Sequence, residues 1–271
     1  MALSPFQIEV CQLLARSRPE SGGYLAGGSA LNALLDAPRQ SRDFDLFHDT
    51  LEALEATFES DSQTLGANGY SLDIVRRREG FIEAIAARKE QSIEIQWLRD
   101  SAFRFFPLQT HPVLGLTLHP FDLATNKVLA LVGRAEVRDY VDALSCHEKV
   151  APLGLLAFAA CGKDEGWNPD LILDEAARTA HYSREEITSL AWSGPPPDFA
   201  ILKIQWREAL RDGRSSIQLL PPQHVGKAVL KRCGSPFQGD APQLADALQN
   251  DELLFHEGHI GGVWPSVGEK R

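Results

Sequence analysis

Two neighbouring stretches decide how the chain is read: Gly22-Gly23-Tyr24-Leu25-Ala26-Gly27-Gly28-Ser29-Ala30-Leu31, and then Ser41-Arg42-Asp43-Phe44-Asp45-Leu46-Phe47. The first predicts a very short strand, a tight turn and a helix with Ser29 at its N-cap. A Gly-Gly turn lets backbone approach a ligand closely because no Cβ intrudes. At the positive end of a helix, the Ser29 N–H and hydroxyl can meet phosphate oxygens. The second stretch alternates polar and apolar residues at the strand period, so Asp43 and Asp45 project from one face while Phe44 and Leu46 enter the core. Two such carboxylates repel each other unless a cation lies between them, and hard oxygen ligands suit Mg²⁺. Taken singly, the first stretch is an ordinary capped strand-to-helix turn and the second a strand end with solvated acids.

Working outward, residues 4–17 have the apolar spacing of an amphipathic helix, and 50–65 form a second one. Strands are expected at 70–78, 81–88 and 92–98, with turns around Arg78-Glu79-Gly80 and Glu90-Gln91. In the last strand Ile93, Ile95 and Trp97 face the core and Glu94 faces the other way. Glu94 is therefore a candidate third acid, or a base that activates an attacking hydroxyl. From residue 120 the pattern turns helical, at 121–133, 136–147, 151–161, 170–179, 184–191 and 198–211. Lys127 falls within the apolar stripe of the first of these, where it must snorkel, pair or serve a ligand. On the next helix Val137, Tyr140, Val141 and Leu144 form the apolar face. Arg138, Asp139 and Asp142 form an exposed polar one, with an Arg138–Asp142 pair at i, i+4. Ser193-Gly194-Pro195-Pro196-Pro197 interrupts the helices, and the last sixty residues, rich in Pro and Gly, carry only short helical stretches. The layout is α+β: a mixed sheet with helices over 1–149, followed by a mainly helical domain over 150–271.

The 271 residues supply ample apolar material for a core, and 24% charged residues is ordinary for a globular chain. A formal net charge of -10 argues against a broad, non-specific nucleic-acid surface. It leaves room for a local basic cleft, for which Arg76-Arg77-Arg78 and Arg88-Lys89 are the patches at hand. No stretch reaches the roughly 20 apolar residues of a membrane span, and the start lacks the plan of a signal peptide. A cytosolic protein is expected. Cys11, Cys146, Cys161 and Cys233 are scattered without CxxC spacing and read as free thiols. His256-Glu257-Gly258-His259 matches no zinc spacing and reads as solvated histidines in a Gly-rich tail. Trp167, Trp192 and Trp206 read as core residues.

The ordered set Gly27-Gly28-Ser29, short helix, Asp43-Phe44-Asp45 resembles the nucleotidyltransferases of the DNA polymerase β superfamily. With Lys127, then Arg134, Arg138-Asp139 and Asp142 after the sheet, it is most similar to the AbiEii/AbiGii-type toxins of bacterial defence systems. The resemblance covers about residues 20–145 and has further implications. Gly27, Gly28 and Ser29 would hold an NTP triphosphate, and Asp43 and Asp45 would bind Mg²⁺. Lys127 would contact nucleotide phosphates, Asp139 would belong to the active site, and Arg134 and Arg138 would be further phosphate contacts. The reaction implied is transfer of a nucleoside monophosphate to RNA, particularly the tRNA 3′ end, by a toxin with an antitoxin partner. A small-molecule or protein acceptor, and a nucleotide-binding module of the same fold without turnover, stand as the alternatives.

Overall fold

A computed structural model describes residues 3–16 and 22–266. In chain order the elements are α1 (Pro5–Ala15), β1 (Tyr24–Ala26), α2 (Gly27–Leu34), β2 (Asp43–His48), α3 (Leu51–Ala67), β3 (Ser71–Arg78), β4 (Phe81–Arg88), β5 (Gln91–Arg99), β6 (Phe103–Arg104), β7 (Gln109–His111) and β8 (Gly115–Thr117). There follow α4 (Pro120–Arg134), α5 (Val137–Lys149), α6 (Leu153–Ala160), α7 (Pro169–Thr179), α8 (Arg184–Ser189), α9 (Phe199–Leu219), β9 (Ala228–Lys231), α10 (Ala241–Gln249), β10 (Leu253–His256) and β11 (His259–Ile260). The chain forms two compact units. The first comprises Met1–Ala102, Leu108–His119 and Ala191–Ser193; the second comprises Phe103–Pro107, Pro120–Leu190 and Gly194–Arg271. The expected helix over 4–17 is present as α1; its last position, 17, lies outside the described residues.

The first unit is built on a seven-stranded mixed sheet in the order β3-β4-β5-β2-β1-β8-β7. β2 runs parallel to β5 and antiparallel to β1, so the strand bearing the two aspartates is interior. Phe44, Leu46, Ile82, Ala84, Ile95 and Trp97 are fully buried on one face, where Phe58 of α3 meets the Trp97 ring edge-on at 5.1 Å. The Trp97 indole N–H is satisfied by Asp61 at 2.8 Å, which offsets the cost of burying that carboxylate. β7 and β8 were not expected, because three residues are too few to show a period.

The second unit packs α4–α7 and α9 around a second core, with the two short ladders β9–β10 and β6–β11. α6 and α9 cross at two glycines. A Cβ on Gly154 would lie 2.4 Å from the Gly213 carbonyl oxygen, so no side chain fits there. Gly154→Val is expected to force the helices apart, costing about 2–3 kcal/mol by overpacking, measured as a lower denaturation midpoint. Two expectations are corrected in this unit. α9 continues to Leu219 rather than ending near 211, since its polar, glycine-containing turn is where the helices touch. His256 is not a solvated tail residue. It is 7% exposed on β10, with Nε2 at 2.8 Å from the Phe105 carbonyl, to which a ring N–H donates. Of the three tryptophans expected in the core, Trp206 is buried, and Trp167 and Trp192 are half-buried. Cys11, Cys146 and Cys161 are buried free thiols and Cys233 is exposed. Among the described residues no helix is long and apolar enough to cross a membrane.

Candidate active site

In the first unit the helix after β1 begins one turn earlier than expected. Gly27, at φ +62°, is the first residue of α2 and Ala26 occupies the cap position without a side-chain cap. Ser29 is thus not the N-cap: it lies in the first turn, fully buried, its hydroxyl 3.5 Å from the Ala26 carbonyl. The first-turn N–H groups at Gly28 and Ser29 have no intrahelical acceptor and remain available to an anion.

Gly27 is held against the acid pair. A Cβ built on it would stand 1.7 Å from Asp45 Oδ2, a distance no atom can occupy. Both the left-handed backbone and the approach of the carboxylate therefore require glycine. Gly27→Ala is expected to displace Asp45 by about 1 Å or more and to lower the catalytic rate on the order of 100-fold. Steady-state kinetics beside a melting curve checks this.

Gly28 is covered in the same way by residues that sequence reading passed over. A Cβ there would lie 2.5 Å from the Arg39 Nη2 and 3.0 Å from the Ser41 Oγ. Arg39 is only 4% exposed, with Nη1 donating to the Gln40 carbonyl at 3.1 Å. The Ser41 hydroxyl donates to Asp43 Oδ1 at 2.5 Å, fixing one of the two carboxylates. The peptide 38–40 is anchored by Ala191–Ser193: Gln40 N–H donates to Ala191 O and Ser193 N–H to Pro38 O, each at 2.8 Å. Their signal in the sequence was only adjacency to the acid pair.

Glu94 of β5 stands opposite Asp43 in the parallel register and accepts from the Gln96 amide at 2.7 Å. Asp43, Asp45 and Glu94 are half-buried on one face of the sheet, whereas Phe44, Leu46, Ile93 and Ile95 are buried on the other. Among the described residues no group of three carboxylate, histidine or cysteine side chains is gathered as a metal cage. Two neighbouring carboxylates beside a glycine turn whose first-turn N–H groups face no intrahelical acceptor nonetheless fit a Mg²⁺ ion, which keeps most of its ligands as water and substrate phosphate.

In the second unit, Lys127 and Asp139 form a buried ion pair, Nζ to Oδ1 at 2.9 Å. Asp142 Oδ2 approaches the same ammonium at 3.2 Å. Arg134 grips Asp139 with two N–H groups, Nε to Oδ2 at 2.6 Å and Nη2 to Oδ1 at 2.9 Å. The α4–α5 junction makes this possible: Ala135, at φ +52°, reverses the chain so that Arg134 and Asp139 meet across the turn. The expected exposed polar face of α5 is corrected. Asp139 and Asp142 have no exposed surface, because α4 packs over them and its lysine neutralises them. Asp142 thus pairs with Lys127, and Arg138 Nε lies 2.6 Å from Glu136.

Burial raises the Asp139 pKa, but hydrogen bonding from Arg134 and the charge of Lys127 outweigh it and leave it below the ordinary 3.8. A carboxylate with a depressed folded pKa stabilises the fold above its unfolded value and loses that contribution as pH falls through the folded one. The second unit is therefore expected to lose stability on acidification below about pH 4, with little change between pH 5 and 7 from this group. Denaturant melts across that range check the sign.

Solved structures share the fold. The nucleotidyltransferase toxin MenT4 of Mycobacterium tuberculosis is 14% identical, with a TM-score of 0.54 over 80% of this chain and 84% of that one. A candidate nucleotidyltransferase from H. pylori is also 14% identical, with a TM-score of 0.51 over 80% of this chain and 98% of that one. At such identity they show the fold, an α/β sheet domain joined to helices. No curated protein sequence matches the chain. The family model for the nucleotidyl transferase AbiEii toxin of type IV toxin–antitoxin systems, by contrast, matches residues 12–212, and the chain belongs to that family of nucleotidyltransferases.

Proposed function

We propose that the chain transfers a nucleoside monophosphate from an NTP to the 3′ end of an RNA, tRNA foremost, in a Mg²⁺-dependent reaction. The observation that carries this reading is the contact of the Asp45 carboxylate with the Gly27 α-carbon, which brings the acid pair and the phosphate-binding turn to one point of the first unit. Asp43 and Asp45 hold the metal, with the Ser41 hydroxyl fixing Asp43. Mg²⁺, when bound, supplies Lewis-acid polarisation of the phosphoryl oxygens. The Gly28 and Ser29 N–H groups receive the triphosphate. Glu94 accepts the proton of the attacking hydroxyl. Lys127, oriented by Asp139 and Asp142, offsets charge on the nucleotide phosphates, with Arg134 and Arg138 as further contacts.

Membership of a toxin–antitoxin family brings an antitoxin partner with it. The buried free thiols accord with a cytoplasmic setting.

The test is pyrophosphate release with Mg²⁺ and each NTP in turn, against a panel of acceptors: tRNA, a cationic small molecule and a protein extract. Release that depends on tRNA supports the reading. Release with the small cation instead moves the activity to a diffusible acceptor, which the net charge of -10 would attract. Nucleotide binding without release in every arm leaves a module without turnover.

A further inference from the structure

The basic run Arg76-Arg77-Arg78 takes no part in the site described above, and the structure divides it. β3 is an edge strand, paired with β4 in a register that shifts between Ile74 and Arg76, with Val75 as the extra residue of a bulge. Facing residues of an antiparallel pair share a side of the sheet. Ile74 faces Ala84 and Arg77 faces Ile82, both of the buried, helix-covered side. There Arg77 pairs with Glu55 of α3 at 2.5 Å and lies over the Phe58 ring.

The bulge sends Arg76 and Arg78 to the other side, facing Glu83 and Phe81. A bulge re-aims side chains in this way, and bulges concentrate near functional sites.

That other side is the face bearing the aspartates. The register runs in one row from Arg76 through Glu83 and Gln96 to Asp45, and in the next from Arg78 through Phe81 and Leu98 to Phe47. Three strand spacings of about 4.8 Å put the arginines roughly 14 Å from the acids, the reach of a few nucleotides of single strand. Arg76 and Arg78 are exposed, and Arg76 makes no ion pair among the described residues. Arg78 lies over the Phe81 ring, its guanidinium carbon 5.0 Å from the centroid. A sheet face with an aromatic ring, amide and carboxylate groups able to hydrogen-bond 2′-hydroxyls, and cations at its far edge has the chemistry that takes single-stranded nucleic acid.

Resting on the proposed RNA-directed activity, we infer that this face is the acceptor track. The 3′-terminal nucleotides lie across β5 and β4 from the aspartates, and Arg76 and Arg78 hold backbone phosphates upstream. In an otherwise acidic chain this confines affinity for RNA to one edge of the sheet.

The test uses the full chain and a fluorescent single-stranded oligoribonucleotide. Anisotropy is read between 50 and 200 mM salt for the unaltered protein, Arg76→Gln/Arg78→Gln and Arg76→Glu/Arg78→Glu. Both side chains are exposed, so melting midpoints should not move. The Gln pair is expected to lower the slope of log affinity against log salt by about 1.4, two single-strand phosphate contacts, and to weaken binding on the order of tenfold. The Glu pair weakens it further, while NTP binding and turnover at saturating RNA stay unchanged.

If the unaltered protein binds and labels RNA but both variants keep its affinity and slope, the track is overturned while the RNA-directed reading stands, and the β3 edge is left to a partner strand. If the unaltered protein neither binds nor labels RNA, the track falls together with that reading.

Discussion

Replacing Asp43 and Asp45 together with asparagine is expected to cut nucleotidyl transfer by on the order of 1,000-fold or more while leaving the fold in place. A metal at a transferring phosphoryl group supplies several kcal/mol of transition-state charge stabilisation, and about 4 kcal/mol corresponds to a factor near 1,000. Asparagine keeps the size of the side chain and one acceptor oxygen, so Ser41 still has a partner at position 43 and Gly27 still packs against position 45. The change removes charge, not packing. Both residues are only half-buried, and relieving their mutual repulsion in the metal-free protein should hold or slightly raise the melting midpoint. A fall in stability large enough to unfold the protein would instead make the acids structural. Rate and midpoint measured on one preparation separate the two.

The second large effect is on stability. Lys127→Met removes the cation that lies between Asp139 and Asp142, both without exposed surface. Asp139 keeps Arg134, but Asp142 loses the Lys127 ammonium, and breaking a buried pair in this way costs about 3–5 kcal/mol. Adding Asp142→Asn should recover most of that loss, because the uncompensated charge is gone. The double-mutant cycle then yields a coupling on the order of 2 kcal/mol. Catalysis should not recover with stability, since the ammonium proposed to meet the phosphates is still absent. Equal stability losses in the single and double variants would show that Asp142 does not depend on Lys127.

The part of this site that was legible in the sequence is the part written at short range. Asp43-Phe44-Asp45 shows its facing in its own alternation, and the burial of Phe44 and Leu46 follows from it. The three strands of the meander and the helices through α8 are long enough to display their period, and lie within a few residues of expectation. What could not be read depends on contacts distant in sequence. Ser29 was misplaced because the turn is set by Gly27 meeting Asp45 of the neighbouring strand, not by a cap residue. Arg39 and Ser41 carry no period or spacing, and become visible only when Gly28 is seen lying beneath them. The polar residues of α5 looked exposed because a helix wheel cannot show that Lys127 of another helix neutralises them. The direction of Arg76 and Arg78 hangs on one extra residue in a strand, which alternation alone cannot reveal.

The most direct test of the account is to incubate the protein with Mg²⁺, tRNA and an NTP labelled at either the α- or the γ-phosphate. The account predicts label on RNA from the α-labelled nucleotide alone, with pyrophosphate released in equal amount, and neither from Asp43→Asn/Asp45→Asn. Label arriving from the γ-phosphate would make the reaction phosphoryl transfer and contradict it, as would α-label transfer that persists without the two aspartates.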